Sequence, residues 1–237
     1  MPTHDDEQVP LGYYDLVYKR RKGLQSKWHH QKFNFVRKKM DNNFIHLDFA
    51  CSSGTFINSL NQNNLSVGVD ISKKQIIYAK RNYQTKNHQF KIAKLPLPFK
   101  RSTFDTVTIL ELIEHCSNKE NQNIFDEIYR VMKPGGKLII TTPNYFSIWP
   151  LLEKIINFFG PIDYNFQHIN YFNKRKLYKF LSKKPFDEIN IETFIYFAPF
   201  TAILSWKLSN TIEKLERFFF NKMPFGFLLC ATFIKKK

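Results

Sequence analysis

The sequence predicts an α/β fold in which a mostly parallel sheet is covered by helices on both faces. Within residues 44–142, short apolar strand patterns alternate with helical patterns. This alternation is typical of parallel strands joined by crossover helices. Two of the predicted strands end in an acidic residue, Asp48 and Asp70. The 237 residues are enough for one domain with substantial additions.

The individual elements follow from local patterns. Strands are predicted at residues 44–49, 65–70, 89–93, 104–110 and 137–142. Helices are expected to begin at Thr55, Ser72 and Ser117, and Ser117 forms a capping box with Glu120. Beyond Asn144 an aromatic, irregular stretch precedes four further predicted elements. These are a helix at 173–181, a strand at 186–197, a helix at 201–220 and a strand at 225–234.

Charge and cysteine content limit the partners and the compartment. The net charge of +16 attracts anions, so nucleic acid, an anionic membrane or a phosphorylated substrate are all open, as is a merely solvated surface. Cys51, Cys116 and Cys230 form no CxxC pair, which favours a reducing compartment. No signal peptide or stretch long enough to span a bilayer is recognised. A cytoplasmic protein is expected.

The strand ends indicate the ligand. In an open parallel sheet, ligands bind outside the carboxyl ends of the strands. Asp48 ends the first strand and is followed by a turn of small residues, while Asp70 ends the second. A carboxylate at the position of Asp70 can accept both hydrogen bonds of a ribose diol. The GxGxxG pattern is missing and Asp48 would repel a pyrophosphate, so NAD is disfavoured.

Six segments in this order resemble the class I S-adenosylmethionine-dependent methyltransferases, most closely the branch of the ubiquinone-biosynthesis O-methyltransferases. The segments are 47–54 (LDFACSSG), 67–70 (VGVD), 97–99 (LPF), 102–105 (STFD), 111–115 (ELIEH) and 130–136 (RVMKPGG). The resemblance implies a Rossmann-like, doubly wound sheet of seven strands with an antiparallel last strand and a helical lid insertion. The expected organisation is one domain with three parts: an N-terminal helical cap (1–43), a cofactor-binding core (44–144) and a lid with C-terminal strands (145–237).

The resemblance also implies S-adenosylmethionine as cofactor. The residues expected to bind it are Asp48, Ala50, Cys51, Ser52, Gly54, Asp70, Ile71, Leu95, Leu110 and Glu111. The family usually has glycine at the positions of Ala50 and Ser52. A Cβ where φ is positive costs roughly 1 kcal/mol, so weaker or slightly shifted cofactor binding is expected.

Catalysis of methyl transfer to oxygen needs removal of a proton from the acceptor. His115, His168 and Glu111 are the candidate catalytic residues. One alternative is a divalent metal held by Glu111, Glu114, His115 and His168, as in the metal-dependent methyltransferases that this string resembles. A second alternative is that these side chains only position the acceptor or the next helix.

The predicted function is O-methylation of a small-molecule or lipid- or glycan-linked acceptor. A nucleic-acid methyltransferase and a non-catalytic binding protein of the same fold are the alternatives. Residues 145–237 carry many apolar side chains next to cations, so a peripheral membrane contact competes with a lid packed on itself or on a second subunit. The apolar residues are Trp149, Leu151, Leu152, Ile155, Ile156, Phe158, Phe159, residues 194–206 and 218–220, and the cations are Lys154, Lys207, Lys214, Arg217 and Lys222.

Overall fold

A seven-stranded sheet forms the centre of the molecule. The structure is a computed structural model that describes residues 9–41, 45–152, 168–182, 186–220 and 223–236. Its strands are β1 Ile45–Phe49, β2 Leu65–Asp70, β3 His88–Ile92, β4 Phe104–Leu110, β5 Met132–Pro143, β6 Phe186–Phe194 and β7 Leu228–Lys235. Several residues expected to take part in a membrane contact lie outside the described residues, namely Lys154, Ile155, Ile156, Phe158, Phe159 and Lys222.

The sheet has the order β3-β2-β1-β4-β5-β7-β6. Strands β1 to β5 pair in parallel, and β7 is antiparallel to both of its neighbours. The predicted fold class, a mostly parallel seven-stranded sheet with an antiparallel last strand, is confirmed. Because β1, β2, β4 and β5 are parallel, their carboxyl ends lie at one edge of the sheet.

Helices cover the sheet, and their ends have identifiable causes. They are α1 Tyr13–Arg20, α2 Gly23–Lys39, α3 Thr55–Asn58, α4 Lys73–Tyr83, α5 Asn118–Val131, α6 Lys174–Leu181, α7 Ala198–Thr201 and α8 Trp206–Phe219. Ser72 caps α4, and Ser117 forms the expected capping box with Glu120 at the start of α5. Asn173 caps α6 through the backbone N–H of Lys176. These side chains satisfy backbone donors that a helix leaves unpaired.

Four boundaries differ from the sequence-based expectation. Strand β5 already begins at Met132 and not at the predicted residue 137, so it includes the Pro-Gly-Gly segment; Met132 pairs with Phe104 before the register shifts. The helix expected over 201–220 is interrupted, because Ser205 has extended backbone and caps α8. Strand β6 ends at Phe194 and not at the predicted residue 197, and strand β7 begins at Leu228 and not at residue 225.

Three apolar clusters hold the layers together, and the smallest packs Ile57 and Ile76 with Phe90. The largest packs α5 and α6 on the sheet, with Ile124, Ile128 and Leu177 fully buried. The second joins α2 to the β5–β7 side through Trp28, Phe33 and their neighbours. Within the described part of the chain, no helix has both the length and the apolar character needed to cross a membrane.

Candidate functional site at the carboxyl edge of the sheet

The turn between β1 and α3 has left-handed backbone at three positions. Ala50, Ser52 and Gly54 have φ values of 61°, 47° and 75°, a region that favours glycine. Positive φ at Ala50 and Ser52 agrees with the glycines of the resembling family at these positions. Their small side chains are accommodated, whereas a Cβ on Gly54 would lie 2.5 Å from the ring of Phe90. Gly54 is therefore a steric requirement of this turn.

Asp70 holds the turn in place from the neighbouring strand. Its Oδ2 accepts the backbone N–H of Ser52 at 2.8 Å, and its Oδ1 accepts that of Ser72 at 2.8 Å. A carboxylate has about four acceptor positions, more than these two hydrogen bonds use. The orientation of Asp70 is thus set by the protein itself, which suits a binding residue.

Asp48 is buried at the end of β1. The hydroxyl of Thr108 donates to its Oδ1 at 2.6 Å. Burial raises the pKa of Asp48 to about 7, although the Thr108 hydrogen bond and the charge of Lys32 act in the opposite direction. A cationic ligand group beside Asp48 would favour its ionised form. The edge of the sheet is therefore suited to a ligand that carries positive charge.

A buried carboxylate of helix α1 connects this helix to the turn after β1 by hydrogen bonds. Asp15 is 0% exposed, and it accepts hydrogen bonds from Thr55 Oγ1 at 3.2 Å and from the Tyr78 hydroxyl at 2.8 Å. Lys19 forms an ion pair with the same side chain at 2.9 Å. Since Thr55 begins α3 and Tyr78 lies on α4, Asp15 connects α1 to both helices that follow the predicted cofactor-binding strands.

Glu111, just after β4, pairs with α2. Its carboxylate forms an ion pair with the buried Lys32 and accepts the indole N–H of Trp28 at 3.4 Å. Its backbone has φ of 52° and donates to the Thr141 carbonyl at 2.9 Å. The sequence gives no direct indication of the Lys32–Glu111 pair, which joins residues 79 apart in sequence. The only sequence signal is that Trp28 and Lys32, four residues apart, lie on one helix face.

A second polar cluster contains Glu114, His115 and His168, whose ligand-type atoms lie within 4.8 Å of one another. Glu114 Oε2 accepts from the Thr142 hydroxyl at 2.9 Å, whereas its Oε1 is buried without a hydrogen-bond partner among the described residues. Burial raises the pKa of Glu114 to about 7, while the charge of His168 lowers it. The Tyr145 hydroxyl lies 2.8 Å from His168 Nδ1. We refer to Glu114, His115 and His168 as the Glu–His cluster.

The structure thus brings together three of the four residues of the predicted metal set. Glu111 is outside this group because its carboxylate is paired with Lys32. Of the other predicted cofactor residues, Ile71 directly follows Asp70, and Leu110 ends β4. Cys51 is buried beside Gly68, and a Cβ added to Gly68 would lie 2.7 Å from the Sγ of Cys51. Leu95 packs on the largest apolar cluster.

The strand order, the antiparallel β7 and the acids ending β1 and β2 define a class I S-adenosylmethionine-dependent methyltransferase fold. Residues 47–140 match a family model described as a methyltransferase domain. Residues 47–140 are therefore similar to a methyltransferase domain, and the sheet that contains them has the fold of the class that uses S-adenosylmethionine.

Relatives cover this domain but differ in their activities. An uncharacterized protein of Methanocaldococcus jannaschii is 31% identical over 131 residues, which are 54% of each chain. A tRNA (guanine-N(7)-)-methyltransferase of Clostridium botulinum is 33% identical over 107 residues, 44% of each chain. A demethylmenaquinone methyltransferase of Oceanobacillus iheyensis is 31% identical over 132 residues, 46% of this chain and 55% of that protein. The chain spans about half the length of these curated relatives.

A solved structure shows the same fold over the whole chain. The PH0226 protein of Pyrococcus horikoshii superposes with a TM-score of 0.63 and 21% identity, covering 100% of this chain and 96% of that one.

Proposed function

We propose that this chain transfers the sulfonium methyl group of S-adenosylmethionine to a hydroxyl oxygen of a small-molecule or lipid- or glycan-linked acceptor. The Glu–His cluster is the observation that carries the proposal. Glu114 and His115 follow β4, and the cluster lies at the same edge of the sheet as Asp48 and Asp70. Transfer to oxygen needs a group that removes the hydroxyl proton, and imidazole does so near neutral pH.

The bond changes are those of an in-line displacement. The acceptor oxygen forms a bond to the methyl carbon while the carbon–sulfur bond breaks, so the sulfonium becomes a neutral thioether. The hydroxyl proton goes to His168 or His115. In the tautomer that donates Nδ1–H to the Tyr145 oxygen, Nε2 of His168 is the basic atom. Most of the remaining acceleration then comes from alignment of the two reactants.

Asp70 and Asp48 hold the two ends of the cofactor in this proposal. Asp70 accepts hydrogen bonds from the ribose hydroxyls, and the turn from Asp48 to Gly54 surrounds the methionine part. Burial raises the pKa of Asp48 to about 7, and the positive charge of a bound cofactor would lower it and favour deprotonation. Cofactor binding is then accompanied by proton release at neutral pH.

A divalent ion is the second way in which the Glu–His cluster could assist. Glu114, His115 and His168 supply one carboxylate and two imidazoles, and the unpartnered Oε1 of Glu114 is a free ligand atom in the described structure. Such an ion would supply positive charge that favours loss of the acceptor proton. In that case Glu114 and the two histidines are ligands, and Lys32 still neutralises Glu111.

The test begins with cofactor binding and continues with transfer of a labelled methyl group. We expect S-adenosylmethionine to bind in calorimetry, and His168→Asn to lower kcat by about 10² to 10⁴ with nearly unchanged cofactor affinity. His30→Asn, on α2 and stacked on Tyr18, is the matched control. Chelation separates the two mechanisms, because it abolishes turnover only if an ion takes part. Full activity of His168→Asn and His115→Asn would exclude the base mechanism, and binding without any transfer would favour a non-catalytic protein.

A nucleic-acid acceptor is the alternative that the net charge of +16 and the tRNA methyltransferase relative favour. The same labelled cofactor, offered with a tRNA transcript or with hydroxylated aromatic compounds, distinguishes the two classes. Label in the tRNA alone would replace the proposal of a hydroxyl acceptor.

A further inference from the structure

Helix α8 exposes an apolar stripe on one face. Leu208 is 42% exposed, Leu215 49%, Phe218 78% and Phe219 63%, and Leu204, just before the helix, is 82% exposed. Leu208, Leu215 and Phe218 are separated by seven and three residues, so they lie on one side of the helix. A row of large apolar side chains with this exposure marks an interaction surface. We refer to these five residues as the α8 stripe.

The carboxylates and the lysines of α8 lie on different faces of the helix. Glu213 and Glu216, the two carboxylates of the helix, both face inward: Glu213 pairs with the buried Lys27 at 2.7 Å, and Glu216 accepts the backbone N–H of Ala198 at 2.7 Å. Lys207 and Lys214, by contrast, are exposed. All 14 residues of α8 are described. Its outer face therefore combines apolar and cationic side chains without an exposed carboxylate.

A row of aromatic rings connects the end of α8 with the candidate active site. The ring of Phe220 lies 6.5 Å from that of Phe197, Phe197 lies 6.4 Å from Phe227, and Phe227 lies 6.2 Å from Trp28. Trp28 in turn donates to Glu111. Phe197, the outermost link after Phe220, is 50% exposed. A row of packed aromatic rings thus leads from the end of α8 to the candidate site, and its inner members, Phe227 and Trp28, are buried.

We propose that the α8 stripe binds the surface of an anionic lipid bilayer, and that the acceptor is taken from that bilayer into the site to which the aromatic row leads. The second part rests on the proposed function. Apolar side chains enter the boundary between headgroups and acyl chains, and cations on the same helix face bind anionic headgroups. The chain's net charge of +16 strengthens the same attraction over a longer range.

The same features disfavour the other occupants of the stripe. In a symmetric dimer the stripe would pair with itself, which brings Lys207 and Lys214 close to the same cations of the second copy. Nucleic acid would bind those cations, but it provides no apolar surface for Leu204 and Phe218, the two most exposed members. A lipid surface with anionic headgroups matches both properties of this helix face.

The experiment is co-sedimentation of the full chain with vesicles of phosphatidylcholine, with or without phosphatidylglycerol. We expect binding that requires phosphatidylglycerol and weakens with salt. The double variant Leu204→Asn/Phe218→Asn should weaken it roughly tenfold or more, whereas Leu65→Asn/Ile77→Asn, at exposed apolar positions on β2 and α4, should not. Lys207→Glu/Lys214→Glu should also weaken it about tenfold or more, and Lys80→Glu/Lys100→Glu, with the same net charge, should leave it nearly unchanged.

Cofactor affinity, measured on every variant, shows that the fold is intact. Because vesicle binding requires neither cofactor nor acceptor, it can succeed or fail independently of the proposed function. Equal losses in the two charge-reversed variants would mean diffuse attraction and overturn the proposal. Absence of vesicle binding would also overturn the proposal. A dimer that Phe218→Asn dissociates, or tRNA binding through Lys207 and Lys214, would then identify the occupant of the stripe.

Discussion

The predicted cofactor turn and the Glu–His cluster lie at the same edge of one sheet, but their carboxylates differ in hydrogen bonding. Both oxygens of Asp70 accept backbone N–H groups. In Glu114 one oxygen accepts the Thr142 hydroxyl and the other has no partner among the described residues. A paired carboxylate is a rigid binding element, whereas a buried unpaired oxygen is a cost to folding that a reacting partner or ligand would offset. The comparison separates a preorganised half, the predicted binding half, from a half that is proposed to react.

The largest expected effect tests the rigidity of the binding half. Gly54→Ala should lower the free energy of unfolding by about 2–4 kcal/mol, because positive φ and a Cβ placed 2.5 Å from Phe90 add two penalties. Gly23→Ala is the control, since Gly23 also has positive φ but has nothing within 4 Å of the added Cβ; a loss of about 1 kcal/mol is expected there. Urea denaturation measures both. Equal losses would show that the turn tolerates a side chain next to Phe90.

The second effect concerns ligand recognition by the paired carboxylate. Asp70→Asn should weaken S-adenosylmethionine binding by roughly 1–3 kcal/mol, because the ribose hydroxyls lose a charged acceptor. Asp105→Asn is a matched control, as Asp105 also accepts a backbone N–H, that of Ile45, at 2.9 Å but lies at the start of β4. Calorimetry should show unchanged affinity for the control. Unchanged affinity for Asp70→Asn in a folded protein would remove the ribose role.

In the Glu–His cluster, removal of the Glu114 charge should raise the free energy of unfolding, whereas the substitution at Gly54 should lower it. With a chelator present at pH 8, Glu114→Gln should raise the free energy of unfolding by about 1 kcal/mol while methyl transfer falls. The sign follows from the pKa of Glu114, which burial raises to about 7: the stability that its protonated form contributes is lost as pH rises through that value. At pH 5 the two proteins should be nearly equal in stability. A destabilised variant at pH 8 would show that Glu114 is a structural residue like Asp70.

The smallest effect is expected at the two non-glycine positions of the turn. Ala50→Gly with Ser52→Gly should change the free energy of unfolding by less than about 1 kcal/mol, since relief of positive φ is offset by a more flexible unfolded chain. Cofactor affinity should stay the same or tighten slightly in calorimetry. A large loss of affinity would mean that the Ala50 and Ser52 side chains are themselves part of the binding surface.

The binding half is the part that sequence patterns could predict. Asp48 and Asp70 end apolar strands, and the Ser117–Glu120 capping box is a local signal, so each is visible within a few residues. The Glu–His cluster was predicted in outline, because the string from Glu111 to His115 suggested a ligand set. The pairing of Glu111 with Lys32 depends on how α2 packs across the sheet edge, and no local pattern encodes that contact. The break between α7 and α8 was missed although its signal is local, since the Ser205 side chain caps α8 by accepting the backbone N–H of Leu208.

The buried lysine of α2 has a consequence for where this protein can be divided. The segment that matches the methyltransferase model begins at residue 47, yet Lys32, Trp28 and Asp15 all precede it and contact the site. Removing them would leave Glu111 without its cation and the turn after β1 without the helix tied over it. The unit that sequence comparison detects is therefore smaller than the unit that must be produced for biochemistry. Truncated versions designed on the match alone should bind cofactor poorly for reasons unrelated to catalysis.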